Sequence, residues 1–132
     1  MKVTLHRVHC YGKTESDEDE IYCTVSIGGG ERRTLARIEV GNFGIGVDIR
    51  PDKLIWNETN LQDVTITMME SDANEPGHGS DDFIGEIKVS TDGNCRPGKG
   101  TLDEGYDESK TYRQFSMTGS GAHYVVQLEV QA

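Results

Sequence analysis

Apolar residues recur at every second position along most of this chain, and that period restricts what it can fold into. Ile21, Cys23, Val25 and Ile27 alternate with Tyr22, Thr24 and Ser26. Ala36, Ile38 and Val40 alternate with Arg37 and Glu39, and Val64, Ile66 and Met68 with Thr65 and Thr67. Phe83, Gly85, Ile87 and Val89 form a fourth series, and Tyr124, Val126, Leu128 and Val130 a fifth. Each run is short, rich in β-branched residues and bounded by Gly, Asp, Asn or Ser, as half-buried strands are. Alternation of this kind gives each strand one face for a core and one for water, the pattern of antiparallel sheets. A first strand over Val3 to Tyr11, with its alternation slipping at a bulge near His9, and a further strand over Val47 to Ile49 extend the set. Lys53 to Trp56 is less regular, Trp56 is expected to anchor a core or an edge, and the run from Asn57 to Asn60 reads as a turn. No amphipathic helix of useful length is present.

The expectation is an all-β, antiparallel two-sheet β-sandwich of about eight strands. A length of 132 residues suits a single domain, 1–132. Sixteen Gly against three Pro fit many turns between short strands. Only the stretch 90–121 lacks a pattern. It is read as an irregular region of Gly and acidic residues, in which Tyr112, Phe115 and Met117 alternate and are compatible with a strand.

The net charge of −10, from 23 acidic and 13 basic residues, sets the chain against phosphate backbones and excludes direct nucleic-acid binding as an expectation. Three cysteines, Cys10, Cys23 and Cys95, make no disulfide framework, although a Cys10–Cys23 bridge is open if the first two strands pair. Cys95 beside Arg96 has the makings of a reactive thiol, but no His or Asn motif accompanies it. No signal peptide or apolar span is evident, so the chain is expected to be soluble and cytoplasmic unless exported by a leaderless route.

Two acidic clusters carry the chemistry. Glu15, Asp17, Glu18, Asp19 and Glu20 precede the strand at Ile21. Glu70, Asp72, Glu75, Asp81 and Asp82 follow the strand ending near Met69. Should both strands leave the sandwich at the same end, these carboxylates crowd together, and like charges that close need a cation between them. Ca²⁺ takes six to eight oxygen ligands from flexible loops, which two such loops can supply. The alternative is two solvated acidic turns. The EF-hand spacing is absent. A third acidic run, Asp103, Glu104, Asp107 and Glu108, is either a mobile stretch of the irregular region or lies near the other two and adds a second ion. His6, His9 and His123 have no zinc-site spacing and are expected to be satisfied locally, whereas His78 sits among carboxylates.

Glu70-Ser71-Asp72, a loop, and then Asp81-Asp82-Phe83-Ile84-Gly85 resembles the third calcium loop of C2 domains. Asp19-Glu20-Ile21-Tyr22 is similar to their first-loop element. The resemblance covers roughly residues 2–90 and is closer to small bacterial proteins of this pattern than to signalling proteins. It departs from the family in having Glu at positions 20 and 70, Ile at 21 and a longer third loop. It implies a sandwich binding Ca²⁺ between apical loops, with Glu70, Asp72 and Asp82 as third-loop ligands, Glu20 from the first loop, and Asp19, Asp17 and Asp81 beside them. The third loop offers Ala73, Asn74, Pro76 and His78 and no basic or bulky apolar tip, so weak or no lipid binding is expected and a protein partner is favoured. The sequence shows neither a nucleophile elbow nor a phosphate loop, and a sandwich this small rarely offers the cleft a two-carboxylate glycosidase needs, so no catalytic residue is assigned. The competing function is a calcium-independent acidic sandwich that binds a basic protein.

Overall fold

The computed structural model describes residues 1–13, 19–27, 33–57, 63–71 and 81–131, with the backbone alone for 33–36. Eleven strands are present among them: β1 (Lys2–Gly12), β2 (Asp19–Ile27), β3 (Arg33–Phe43), β4 (Asp48–Ile49), β5 (Lys53–Asn57), β6 (Val64–Glu70), β7 (Asp82–Val89), β8 (Cys95–Pro97), β9 (Thr101–Tyr106), β10 (Arg113–Met117) and β11 (His123–Gln131). They form two antiparallel sheets. One runs β4-β1-β11-β10-β9, with β5 also paired to β1, and the other runs β3-β2-β6-β7-β8. The fold is therefore the expected two-sheet β-sandwich, with eleven strands rather than about eight. Among the described residues no helix is long and apolar enough to cross a membrane.

The alternating apolar positions meet between the sheets. Cys23 and Val25 of β2, Val64, Ile66 and Met68 of β6, and Tyr124, Val126 and Leu128 of β11 are all essentially inaccessible to water. Val3, Leu5, Val8 and Cys10 of β1, together with Phe115 and Met117 of β10, complete the same core. Burying one such aliphatic or aromatic side chain contributes about 1.5–3 kcal/mol, which makes this layer the main source of stability. Trp56 of β5 belongs to it. The slip expected near His9 occurs in two places, between Leu5 and Arg7 and between Cys10 and Gly12 in the pairing of β1 with β11.

Strand β7 departs from the simple alternation. Its pairing with β6 shifts between Met68 and Met69, so that Gly85 opposes Met68 while Phe83 opposes Met69. The extra residue is Ile84, which is fully buried, whereas Phe83 is only half-buried. A bulge of this type changes which face the residues beyond it occupy. The stretch 90–121 is also more ordered than its composition suggests, since β8, β9 and β10 all fall within it. Gly98 and Gly119 make this possible by close approach. A Cβ on Gly98 would lie 2.3 Å from Cγ of the buried Glu86, and one on Gly119 would lie 2.5 Å from the carbonyl oxygens of Phe83 and Ile84.

Candidate metal centre

Backbone register brings the two acidic segments to one end of the second sheet. Ile21 of β2 opposes Glu70 of β6, and Glu70 in turn opposes Asp82 of β7. The Ser71 amide donates to the Glu20 carbonyl at 2.8 Å, which carries the pairing one step beyond β6. The connections 13–18 and 71–81 therefore leave from neighbouring strand ends.

Alternation then sorts the carboxylates by face. Asp19 lies two residues before Ile21 and shares its inward face, and Glu70 continues the inward series of Ile66 and Met68. Asp19 is 0% exposed and Glu70 1% exposed, rare burial for carboxylates and costly unless charge or hydrogen bonds compensate. Directly opposed residues share a face, so Asp82 stands on the side of Glu70. Asp19 accepts a hydrogen bond from the Tyr124 hydroxyl at 2.5 Å, reaching across the sandwich from β11. The Tyr124 ring meets Phe43 edge-on at 5.5 Å. Burial first, and then the Asp19 carboxylate, hold the Tyr124 hydroxyl far above its ordinary pKa, so it stays a donor.

Glu20 and Asp81 fall on the other side. Glu20 alternates with Asp19, and Asp81 accepts from the hydroxyl of Tyr22, which points to the outer face. Burial and that hydrogen bond push the Tyr22 phenol up to about 12. The Arg37 guanidinium lies over the same ring at 3.7 Å and pairs with Glu39 at 2.8 Å. Of the seven expected ligands, then, Asp19, Glu70 and Asp82 share one face, while Glu20 and Asp81 occupy another. Asp17 and Asp72 lie outside the described residues, as do Glu15, Glu18, Glu75 and His78. Among the described residues no group of three or more His, Cys, Asp or Glu side chains is placed to hold a metal ion, so strand register brings Asp19, Glu70 and Asp82 to one end without clustering them as ligands. The donor set nonetheless fits a hard cation, being carboxylate oxygen throughout.

The third acidic run stands apart from this end. Asp103 pairs with Arg113 at 2.6 Å, and its carboxyl is held low by the Gly105 amide and that guanidinium. Asp107 accepts from the amides of Thr111 and Tyr112 in the turn between β9 and β10. That turn lies at the end of β10 remote from Met117, whose partner is Tyr124. Of the described histidines, His6 pairs with Asp52 and His123 with Ser116 at 2.9 Å, while the buried Nδ1 of His9 has no hydrogen-bond partner among the described residues and only approaches Asp48 at 3.5 Å. The bond from Tyr124 to Asp19 is the contact that alternation alone misses, because Tyr124 reads as one more core position.

The cysteines are free and buried. Burial pushes the Cys95 thiol up to about 11 and Cys23 up to about 12, and burial also raises Cys10. Arg96 does not activate Cys95, since it bonds Ser90 at 2.8 Å and approaches Asp63 at 3.6 Å. The native protein should accordingly leave a thiol-specific disulfide reagent unreacted at mildly alkaline pH, whereas urea-unfolded protein should titrate all three thiols. Fast reaction of one thiol in the native state would contradict this burial.

No family model matches the sequence, and no curated protein matches it.

Proposed function

We propose that this chain is a calcium-binding, C2-like module rather than an enzyme, in which Ca²⁺ orders the apical loops for stability and for a protein partner. The observation that carries the reading is the adjacency of Asp19, Glu70 and Asp82 on three neighbouring strand ends, two of them buried. Buried carboxylates at neighbouring positions repel, and a divalent ion converts that repulsion into attraction. Asp19, Glu70 and Asp82 would hold the strand side of the ion, with Asp17 and Asp72 supplied by the loops. Tyr124 fixes the Asp19 carboxylate from the opposite sheet, so the ligand is oriented before the ion arrives. Ordering the loops in this way prepares a surface at little further entropic cost on docking.

Binding to the folded state alone raises stability by RT ln(1 + [L]/Kd), about 2.7 kcal/mol at a hundredfold excess over Kd, a melting shift on the order of 10 °C. Thermal melts in millimolar Ca²⁺ against EGTA should show such a rise, and Asp82→Asn and Asp72→Ala should each abolish most of it. An unshifted wild-type melt would end the metal proposal, and Ca²⁺-independent, salt-sensitive capture of a basic protein would then describe the acidic end instead.

A further inference from the structure

The outer face of the first sheet holds an open groove of about 630 Å³, remote from the apical carboxylates. Gln114 and Gln127 lie in it on paired strands, joined by an amide hydrogen bond of 2.9 Å. Gln127 is 7% exposed even though it faces away from the core. Each amide has two donors and a carbonyl acceptor, so this single bond leaves both side chains with capacity for a ligand. Beside them the His6 ring stacks on Tyr112 at 3.8 Å and 4°. Asp52 holds the same imidazole from its edge. Tyr106 lines the groove as well and is 59% exposed, with the Arg113 guanidinium 5.1 Å from its ring centre.

The charges around the groove are matched internally. Arg7 bonds Asp48 at 2.7 Å, and Arg50 approaches the same carboxylate at 3.5 Å. Asp107 is occupied by its own turn. Across the lining the guanidiniums of Arg7 and Arg50 are offset in number by the carboxylates of Asp107 and Glu108, so a strongly anionic or cationic occupant gains no net charge attraction. What remains is a polar cleft with an exposed aromatic ring and planar amides that both donate and accept. A sugar ring presents the complement, with an apolar C–H face for the aromatic ring and a rim of hydroxyls for the amides. An open groove suits a chain of such rings better than one enclosed unit.

We propose that this groove binds a neutral carbohydrate chain, with Tyr106 stacking on a sugar ring and Gln114 and Gln127 bonding its hydroxyls. The test uses the full chain in EGTA, which separates this site from the apical end. A glycan array of neutral oligosaccharides is combined with native gels containing hydroxyethylcellulose, xylan, laminarin or starch. The wild type should bind at least one of these without Ca²⁺. Tyr106→Ala and Gln114→Ala should each weaken that binding by about tenfold or more; Tyr106→Ala should leave the melting temperature nearly unchanged because its ring is exposed, whereas Gln114→Ala also removes the bond to the buried Gln127 and should lower it. Absence of binding on the array and in all four gels would overturn the proposal. So would binding that both variants retain in full, or binding that EGTA removes.

Discussion

Gly119→Ala should lower the stability of this protein by about 3 kcal/mol, a large effect for one methyl group. The added carbon would sit 2.5 Å from the carbonyl oxygens of Phe83 and Ile84 and 2.9 Å from the Ile84 carbonyl carbon. These are backbone atoms of β7, paired to β6 along its length, and they cannot swing aside as the end of a long side chain does. The segment 119–121 must lift instead. Lifting breaks the hydrogen bond from the Ser120 hydroxyl to the Phe83 carbonyl, 2.7 Å long. Gly121 supplies the control. Its φ of +75° lies in the left-handed region, but a Cβ there meets nothing within 4 Å. Gly121→Ala should thus cost only about 1 kcal/mol, the backbone penalty alone. Urea unfolding of the two variants measures the contrast, and equal or inverted costs would show that the 119–121 segment does not press on β7. Because Asp82 precedes Phe83 directly, Gly119→Ala should also blunt the Ca²⁺-dependent rise in melting temperature, while Gly121→Ala should spare it.

How far the sequence disclosed this arrangement depends on the kind of information each part required. Strand β6 was legible because its burial alternates at every second residue, and β2 and β11 because every second residue from Ile21 to Val25 and from Tyr124 to Leu128 is apolar and buried, although Tyr22 and Gln127 are buried between them. β9 was not, since Leu102, Asp103 and Glu104 are all exposed and Gly105 interrupts the strand at a φ of +78°. A strand wet on both faces leaves no period to read. The bulge in β7 was equally hidden. Val89, Ile87 and Gly85 keep the expected phase, but nothing in Phe83-Ile84 announces that the inward residue is Ile84. The acidic clusters were plain as composition, yet their division by face was not. Asp19 and Glu20 are chain neighbours, as are Asp81 and Asp82, and only register decides which of each pair turns inward. The outer groove had no linear signature at all, because Tyr106, Gln114 and Gln127 meet through the pairing of three strands.

Truncating Tyr124 should have the second large effect, and comparison of two variants separates its causes. Tyr124→Ala removes a fully buried ring that meets Phe43 edge-on, and a loss of this kind costs about 3–5 kcal/mol. Tyr124→Phe keeps the ring and removes only the hydroxyl that donates to Asp19. A hydrogen bond to a charged group contributes about 1.5–3 kcal/mol, and its loss leaves a fully buried carboxylate without that donor, so the phenylalanine variant should forfeit about 2 kcal/mol. Urea unfolding in EGTA yields both values. A Tyr124→Phe protein as stable as wild type would mean that Asp19 does not depend on this donor. The two conditions of metal then bear on the apical site. With the hydroxyl gone, Asp19 carries a charge less well compensated by the protein, and in a low-dielectric setting it gains more from a nearby cation. The deficit of Tyr124→Phe should therefore shrink in millimolar Ca²⁺, whereas the packing loss of Tyr124→Ala should persist in either buffer. A deficit in Tyr124→Phe identical with and without Ca²⁺ would separate Asp19 from any bound ion and confine the tyrosine to a structural role between the sheets.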